Sequence, residues 1–363
     1  MPVTLDDLRR FAIGRSLFAP TTLARAIEKM AFVQADPIRS PARAQDLMLR
    51  HRVKNYCAGD LERRYESLGV AEDVFVNYGY VTSSLQRLMH PRPAAHGNRV
   101  AKHVQSLLDF LRERGPTHPR EVNSHFLHGR TTNYFGGSSN ATTQLLQTMH
   151  CQGLLRVARR ENGIRVYAVQ EHDPEPRDKT ERQERIDKLA DAAVNIYAPM
   201  PAASLSFLLR RLRYAAPQWR AEVGSAVQRA KQRLSHTRVD GVDWYWPADE
   251  KAPRRRTPSD EVRLLAPFDP VVWDRPRFEM FWGWRYRFEA YTPAPKRIRG
   301  YYSLPMLWRD RVIGWANLSM KSGNLEAGFG YVESAPRDAV FKRELAVELD
   351  RVRAFLGAGS GTP

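Results

Sequence analysis

Cysteine and unbroken apolar sequence are both nearly missing from this chain of 363 residues. The two cysteines, Cys57 and Cys151, stand far apart and lack metal-ligand spacing. That excludes a disulfide framework and a zinc ribbon, and it fits a reducing cytoplasm. No apolar run approaches the roughly 20 residues of a membrane-spanning helix. The start, Met1-Pro-Val-Thr-Leu-Asp-Asp, lacks the basic-then-apolar layout of a signal peptide. Acid is scarce as well: 40 Asp and Glu face 57 Lys and Arg, a net charge of +17. A surplus of that size calls for a polyanionic partner, and without a membrane-directed segment the expected partner is nucleic acid. Among ten histidines, His90, His96 and His103 show no compact two-plus-two ligand pattern. The histidines read mostly as surface or phosphate-facing residues, and no metal or organic cofactor is expected.

The N-terminal region reads as helical. Thr4-Leu-Asp-Asp is an N-cap with acids in the first turn, ahead of Leu8, Phe11 and Ile13. Pro20-Thr-Thr opens a second helix through Ala24, Ile27 and Met30, and a third helical stretch holds Ala42, Gln45, Leu47, Leu49 and Val53. Arg39, Arg43, Arg50 and Arg52 are spread among these residues, as phosphate contacts or as a solvated basic face.

Residues 100 to 170 carry the clearest supersecondary pattern. A helix with Val104, Leu107, Leu108 and Leu111 ends at Gly115-Pro116, and Thr117-His-Pro-Arg-Glu-Val starts a short second helix with a capping pattern. Gly136 to Asn140 leads into a third helix with Leu145, Leu146 and Met149. After it, Asn162-Gly163 sits between alternating apolar residues, a hairpin signal. Three helices and a basic hairpin are the winged-helix layout, in which the later helix enters the major groove. That places Asn140, Thr142, Thr143 and Gln144 at an exposed helix start and Arg156, Arg159, Arg160 and Arg165 on the wing. Winged helices also serve as protein-binding modules; the +17 charge favours DNA.

A charged, proline-bearing connector is expected over residues 171–185, followed by a helix from Ile186 to Asn195. A second helix-turn-helix entry follows from Met200, with a wing over Leu234 to Trp246. Arg254, Arg255 and Arg256 form a basic loop. From Val262 the pattern turns to strands, at Val262, Tyr286 to Tyr291, Tyr301 to Trp308, Val312 to Ser319 and Asn324 to Val332. They imply a small antiparallel barrel or curled sheet closed by a helix over residues 338–356. Trp273, Phe278, Phe281, Trp282 and Trp284 read mostly as its core.

One short stretch carries chemistry. In Phe32-Val33-Gln34-Ala35-Asp36-Pro37-Ile38, residues two apart on an extended backbone face the same side, so Gln34 and Asp36 would look together into one space. Pro37 holds Asp36 extended and ends any helix there. Asp-Pro is also a common turn opener, and both readings stand at this point.

Together these segments resemble the AlkZ/YcaQ-type DNA glycosylases, which open interstrand crosslinks. Val33-Gln34-Ala35-Asp36 fits that family's Gln-apolar-Gln or Gln-apolar-Asp signature in its aspartate form, and Ser40 to Tyr56 fits the segment that follows it. Near the C-terminus, Leu264-Leu-Ala-Pro-Phe-Asp-Pro-Val-Val-Trp-Asp-Arg, Tyr291-Thr-Pro-Ala-Pro-Lys-Arg and Gly300-Tyr-Tyr-Ser-Leu-Pro-Met-Leu-Trp are similar to its barrel segments. Two places depart from the pattern, Asn77-Tyr-Gly-Tyr80 and Tyr134-Phe135-Gly136.

The resemblance implies an α+β protein of three tandem winged-helix units curled around a basic channel, with a small C-terminal antiparallel β-barrel. Laid on this chain, the units span 1–99 with the active-site motif, 100–172 and 173–258. The barrel spans 259–335, and a helix and tail span 336–363. The implied activity is hydrolysis of the glycosidic bond of N7-alkylguanine in double-stranded DNA, interstrand crosslinks included, by a monomer acting in the cytoplasm on the nucleoid. Asp36 and Gln34 would be catalytic. Arg39, Arg43, Arg52, Asn140, Thr143, Arg156, Arg159, Arg160, Arg254, Arg255, Arg256, Lys296 and Arg297 would bind DNA. No lysine is placed as a Schiff-base nucleophile, so a monofunctional enzyme is expected. A winged-helix regulator would account for the charge but not for Gln34 and Asp36, and a nuclease would need further carboxylates converging on Mg²⁺.

Overall fold

The computed structural model describes residues 2–92, 98–126, 130–132, 138–176, 178–251 and 257–357. Helices and strands are mixed along the chain, and no described helix is long and apolar enough to cross a membrane. Two compact units form, one from residues 1–61, 190–209 and 227–363 and the other from 62–189 and 210–226.

In the first unit, helix Leu5–Ser16 starts with a capping box. Asp7 donates its backbone N–H to the Thr4 hydroxyl, and Thr4 donates its own N–H to the Asp7 carboxylate. Thr22 caps Leu23–Met30, whose buried face is Leu23, Ala26, Ile27 and Met30. The strand that follows covers only Phe32–Gln34, shorter than the motif suggested. The chain turns directly afterwards, at Asp36 and Pro37.

Of the arginines in and before the next helix, Arg39 is exposed and Arg43 half-buried, but Arg50 and Arg52 do not join a solvated face. Arg50 pairs with Glu348 at 2.6 Å and donates to the Leu264 carbonyl at 2.8 Å, and His51 meets the same carbonyl at 2.9 Å. Arg52 grips Asp269 with both terminal nitrogens, at 2.8 and 3.0 Å. Both partners are 0 % exposed. Two segments that carry the family pattern, Ser40–Tyr56 and Leu264–Arg275, are therefore clamped together by buried charge.

A three-stranded antiparallel sheet in this unit pairs Met200–Pro201, Val242–Trp246 and Ser235–Val239. The hairpin expected over Leu234 to Trp246 is present, with Asp240 and Gly241 both at positive φ in the turn. The C-terminal sheet has four strands in the order Val262–Leu264, Leu304–Trp308, Arg311–Lys321 and Asn324–Tyr331. Its turns fall at Arg309 and at Ser322-Gly323, between the strands that the sequence pattern suggested. Helix Ala339–Leu356, capped by Asp338, packs on its first strand.

Among the described residues this sheet does not close into a barrel. One expected strand, Tyr286–Tyr291, forms none. Its side chains bond elsewhere: the Tyr286 hydroxyl donates to the Ser303 carbonyl, and Glu289 accepts two loop amides. Two short helices, Pro270–Trp273 and Arg275–Trp282, precede it, capped by Asp269 and Asp274.

In the second unit, hairpin Val70–Val74/Tyr78–Thr82 precedes helices Asn98–Arg114, Pro119–His125 and Ala141–Cys151. The capping residue of Pro119–His125 is His118 rather than Thr117, which instead bridges to Tyr167. Hairpin Leu155–Glu161/Ile164–Val169 follows, with Asn162 and Gly163 at φ 50° and 83° in its two-residue turn. The expected connector is helical in its second half, because helix Lys179–Tyr197 begins where Asp178 accepts the Thr180 and Glu181 amides.

Candidate active site

Gln34 ends the short strand and Asp36 lies two positions beyond it, and both are buried, 8 % and 9 % exposed. The Asp36 carboxylate accepts the Ile38 amide at 2.9 Å, so the turn-opening role is real. It does not exhaust the residue. Burial pushes the Asp36 carboxyl above its ordinary range, the Ile38 hydrogen bond opposes this, and no cation acts on it among the described residues. Gln45, on the buried helix Ala44–Leu49, accepts the Asp36 backbone amide at 3.4 Å.

The amide of Gln34 is held from the C-terminal half of the chain. Trp273 donates its indole N–H to Gln34 Oε1 at 3.2 Å. Since the indole is only a donor, this contact fixes which end of the amide is oxygen. Trp273 is itself seated against Tyr197, with ring centroids 4.7 Å apart. It ends the helix whose cap, Asp269, is gripped by Arg52. A buried ion pair thus anchors the helix that carries the indole to Gln34. Reading Trp273 only as sheet core missed this.

Tyrosines complete the surroundings. The charge of Asp36 acts on Tyr291 and Tyr302 and, after burial, pushes both hydroxyls upward. Tyr302 is buried, and its hydroxyl has no hydrogen-bond partner among the described residues. Phe288 packs edge-on against both rings, at 6.0 Å from Tyr291 and 5.2 Å from Tyr302. Neither tyrosine drew notice as a site residue, although both lie in segments that carry the family pattern.

The residues expected to hold DNA divide. Arg39, Arg156 and Lys296 are exposed, and Arg43, Thr143 and Arg297 are half-buried. Arg297 donates to the Thr292 carbonyl at 2.7 Å and lies over the Tyr301 ring. Arg52 does not face a phosphate: it is buried on Asp269. Arg160 is committed to Glu72 by two bonds of 2.6 Å, and Arg159 pairs with Glu161 at 2.7 Å. Thr142, expected at an exposed helix start, is fully buried. His90 is not a surface residue either; it is buried between Asp73, at 2.8 Å, and the stacked ring of His172, while His103 is exposed. Asn140 ends strand Ser138–Asn140. Arg254, Arg255, Arg256, His96 and Tyr134–Gly136 lie outside the described residues.

The hairpin of the second unit explains where the wing arginines go. Glu72 is buried and accepts from Arg160, Arg165 and the Tyr78 hydroxyl. Burial alone would push its carboxyl up, but these partners hold it down at about 2. Tyr78 belongs to the Asn77–Tyr80 departure from the family pattern. Here that departure supplies a hydroxyl to the buried network and a ring beneath Arg165, 4.7 Å from the guanidinium.

Comparison with known proteins agrees with this architecture. The solved structure of Streptomyces sahachiroi DNA glycosylase AlkZ matches 99 % of this chain and 98 % of its own, with a TM-score of 0.62 and 13 % sequence identity. At that identity the likeness is one of fold. Residues 27–355, which include Gln34, Asp36, Trp273 and Tyr302, match the family described as DNA glycosylase AlkZ-like. The chain belongs to the AlkZ-like DNA glycosylase family.

Proposed function

We propose that this DNA glycosylase hydrolyses the N-glycosidic bond of N7-alkylguanine in duplex DNA, interstrand crosslinks included, and does so as a monofunctional enzyme. The observation that carries the reading is Asp36, a buried carboxylate on which no cation acts among the described residues, two positions from a glutamine oriented by an indole. Buried charges are ordinarily paired, and a buried carboxylate with a perturbed pKa is a candidate for chemistry.

Alkylation at N7 makes the purine a cation, so it departs with the glycosidic electron pair as a neutral base and needs no proton donor. C1′ then takes on oxocarbenium character, which the ionised Asp36 stabilises. As the oxygen of a water bonds to C1′, Asp36 accepts the water proton, and burial makes it a stronger base for that step. Gln34 orients the water or the sugar with an amide that both donates and accepts. The products are the free base and an abasic deoxyribose, with both phosphates of the strand intact.

In this reading tandem winged-helix units hold the duplex in an open basic channel. A crosslinked base is tethered to the opposite strand, so ordinary extrusion into a closed slot is barred. Arg39, Arg43, Arg156, Lys296 and Arg297 serve as phosphate contacts, with Asn140, Thr143, Arg159 and Arg254–Arg256 as further contacts, and the protein works as a monomer. A non-catalytic regulator has no use for an uncompensated buried carboxylate.

The test is release of N7-methylguanine from duplex DNA, with abasic sites revealed by alkali. Asp36→Asn keeps the acceptor for Ile38 and removes only the charge. Its single-turnover rate is expected to fall by about 10²-fold or more, with Gln34→Ala costing less. Release of the base by Asp36→Asn at the parent rate would return Asp36 to its turn alone.

A further inference from the structure

We propose that the loop Tyr291–Tyr301 is a rigid base-contact surface, on which nucleobases flanking the lesion stack when the duplex is opened. The inference rests on the proposed lesion reading and extends it to a second group of residues. Among the described residues, nine large apolar side chains stand well exposed, and three of them fall in this one loop: Tyr291 at 76 %, Ile298 at 77 % and Tyr301 at 43 %. Scattered exposed apolar residues need no explanation, but a cluster of them marks a binding surface.

The loop is held still. Buried Glu289 accepts the amides of Ile298 and Arg299 at 2.9 and 2.8 Å, and its carbonyl accepts the Thr292 amide at 3.0 Å. Arg297 ties back to the Thr292 carbonyl, and Asn317 donates to the Arg299 carbonyl at 2.7 Å. Gly300, at φ +115°, has no room for a side chain, because a Cβ would lie 2.3 Å from Asn317 Oδ1. Using a buried carboxylate to brace a loop that displays tyrosine and isoleucine to water gives no gain in the free protein. It lowers the ordering cost of binding.

The position and the charge select the occupant. The field of Asp36 reaches Tyr291, and Phe288 joins that ring to the buried Tyr302, so the loop borders the proposed site. Lys296 is exposed on the same loop, and the Arg297 guanidinium sits 5.0 Å from the Tyr301 ring centre. Aromatic faces interleaved with cations fit bases and their phosphates, since every base presents a π-face. Apolar side chains at such positions enter opened base steps.

The experiment uses the full-length Asp36→Asn protein, expected to bind with turnover slowed about 10²-fold or more, and a duplex carrying 2-aminopurine beside an N7-methylguanine. Binding is expected to raise 2-aminopurine fluorescence. Adding Tyr291→Ser and Ile298→Ser should cut that rise by about tenfold, the equivalent of one or two stacking contacts. Affinity for undamaged duplex should change by less than about threefold, because phosphate contacts supply nonspecific binding. Tyr291→Phe should restore the signal, since the ring and not the hydroxyl stacks. An unchanged rise in the doubly substituted loop would overturn the inference, as would equal loss with Tyr291→Phe. Excision by the parent protein is measured alongside. If it releases N7-methylguanine while the loop variants keep their signal, only the loop assignment fails. If it releases none while the signal still depends on Tyr291 and Ile298, the surface stands and the lesion reading fails.

Discussion

Each of the two units buries a carboxylate, and they treat it in opposite ways. In the second unit Glu72 is surrounded by Arg160, Arg165 and the Tyr78 hydroxyl, which hold it ionised down to about 2. In the first unit Asp36 is also buried, though less deeply, and among the described residues it has a backbone amide and no cation, so its proton is held more tightly than in water. The same unit also shows that it can pair a buried acid: Arg52 meets Asp269 through two bonds. The lack of a cation at Asp36 is therefore local. A paired buried acid holds structure; an unpaired one costs stability and is retained where its charge meets a ligand.

The sharpest way to break the comparison is to remove the compensated charge. Glu72→Gln strands Arg160 and Arg165 over a neutral amide. Breaking a buried pair in this way costs about 3–5 kcal/mol, read as a shift in the denaturant midpoint at constant slope. The folded fraction should still excise at near the parent single-turnover rate. If Glu72→Gln leaves stability within about 0.5 kcal/mol of the parent, the ordinary range for surface substitutions, the network is ornamental and the contrast with Asp36 dissolves.

The two acids also separate by pH, with opposite signs. Glu72 is depressed, so its contribution is complete above the unfolded carboxylate value of about 4.3 and is lost as pH falls toward about 2. Asp36 is raised, so its ionised form costs stability, fully so above its folded pKa and not at all below the unfolded value of about 3.9. Asp36→Asn should therefore melt at a higher temperature than the parent at pH 7 to 8, and the advantage should vanish by about pH 4. Excision should lose its acid limb at a pH where the fold is still intact, as seen by comparing rate and circular dichroism at matched pH. Coincident loss of rate and structure would make the acid limb an unfolding event.

What could be read from the sequence was local, and what could not was distant. The Thr4 capping box, the Asn162-Gly163 and Asp240-Gly241 turns and the Ser322-Gly323 turn each depend on residues within a few positions, and all are present. Gln34 and Asp36 were visible for the same reason, because the spacing and Pro37 lie side by side. The destinations of the arginines were not. Arg160 finds its acid 88 positions away, Arg52 217 and Arg50 298. Nothing near them distinguishes a guanidinium bound for a phosphate from one bound for a buried carboxylate. Tyr286–Tyr291 failed differently: its alternation was strand-like, but a strand needs a ladder partner, and its polar atoms were already committed to loop amides.

The smallest expected effect concerns the indole that orients Gln34 from 239 positions away. Trp273→Phe keeps an aromatic ring against Tyr197 and removes the indole N–H that donates to Gln34 Oε1. One hydrogen bond of this kind is worth about 1 kcal/mol net, or roughly fivefold in rate. The loss should appear in the single-turnover rate and not in affinity for undamaged duplex, because Trp273 is not among the proposed phosphate contacts. Since the substitution acts through Gln34, the two should not add: Trp273→Phe with Gln34→Ala should be no slower than Gln34→Ala alone. Fully multiplicative losses would show that Trp273 serves the reaction by another route, such as contact with the DNA itself. No loss at all would show that the neighbouring turn holds Gln34 in place without the indole.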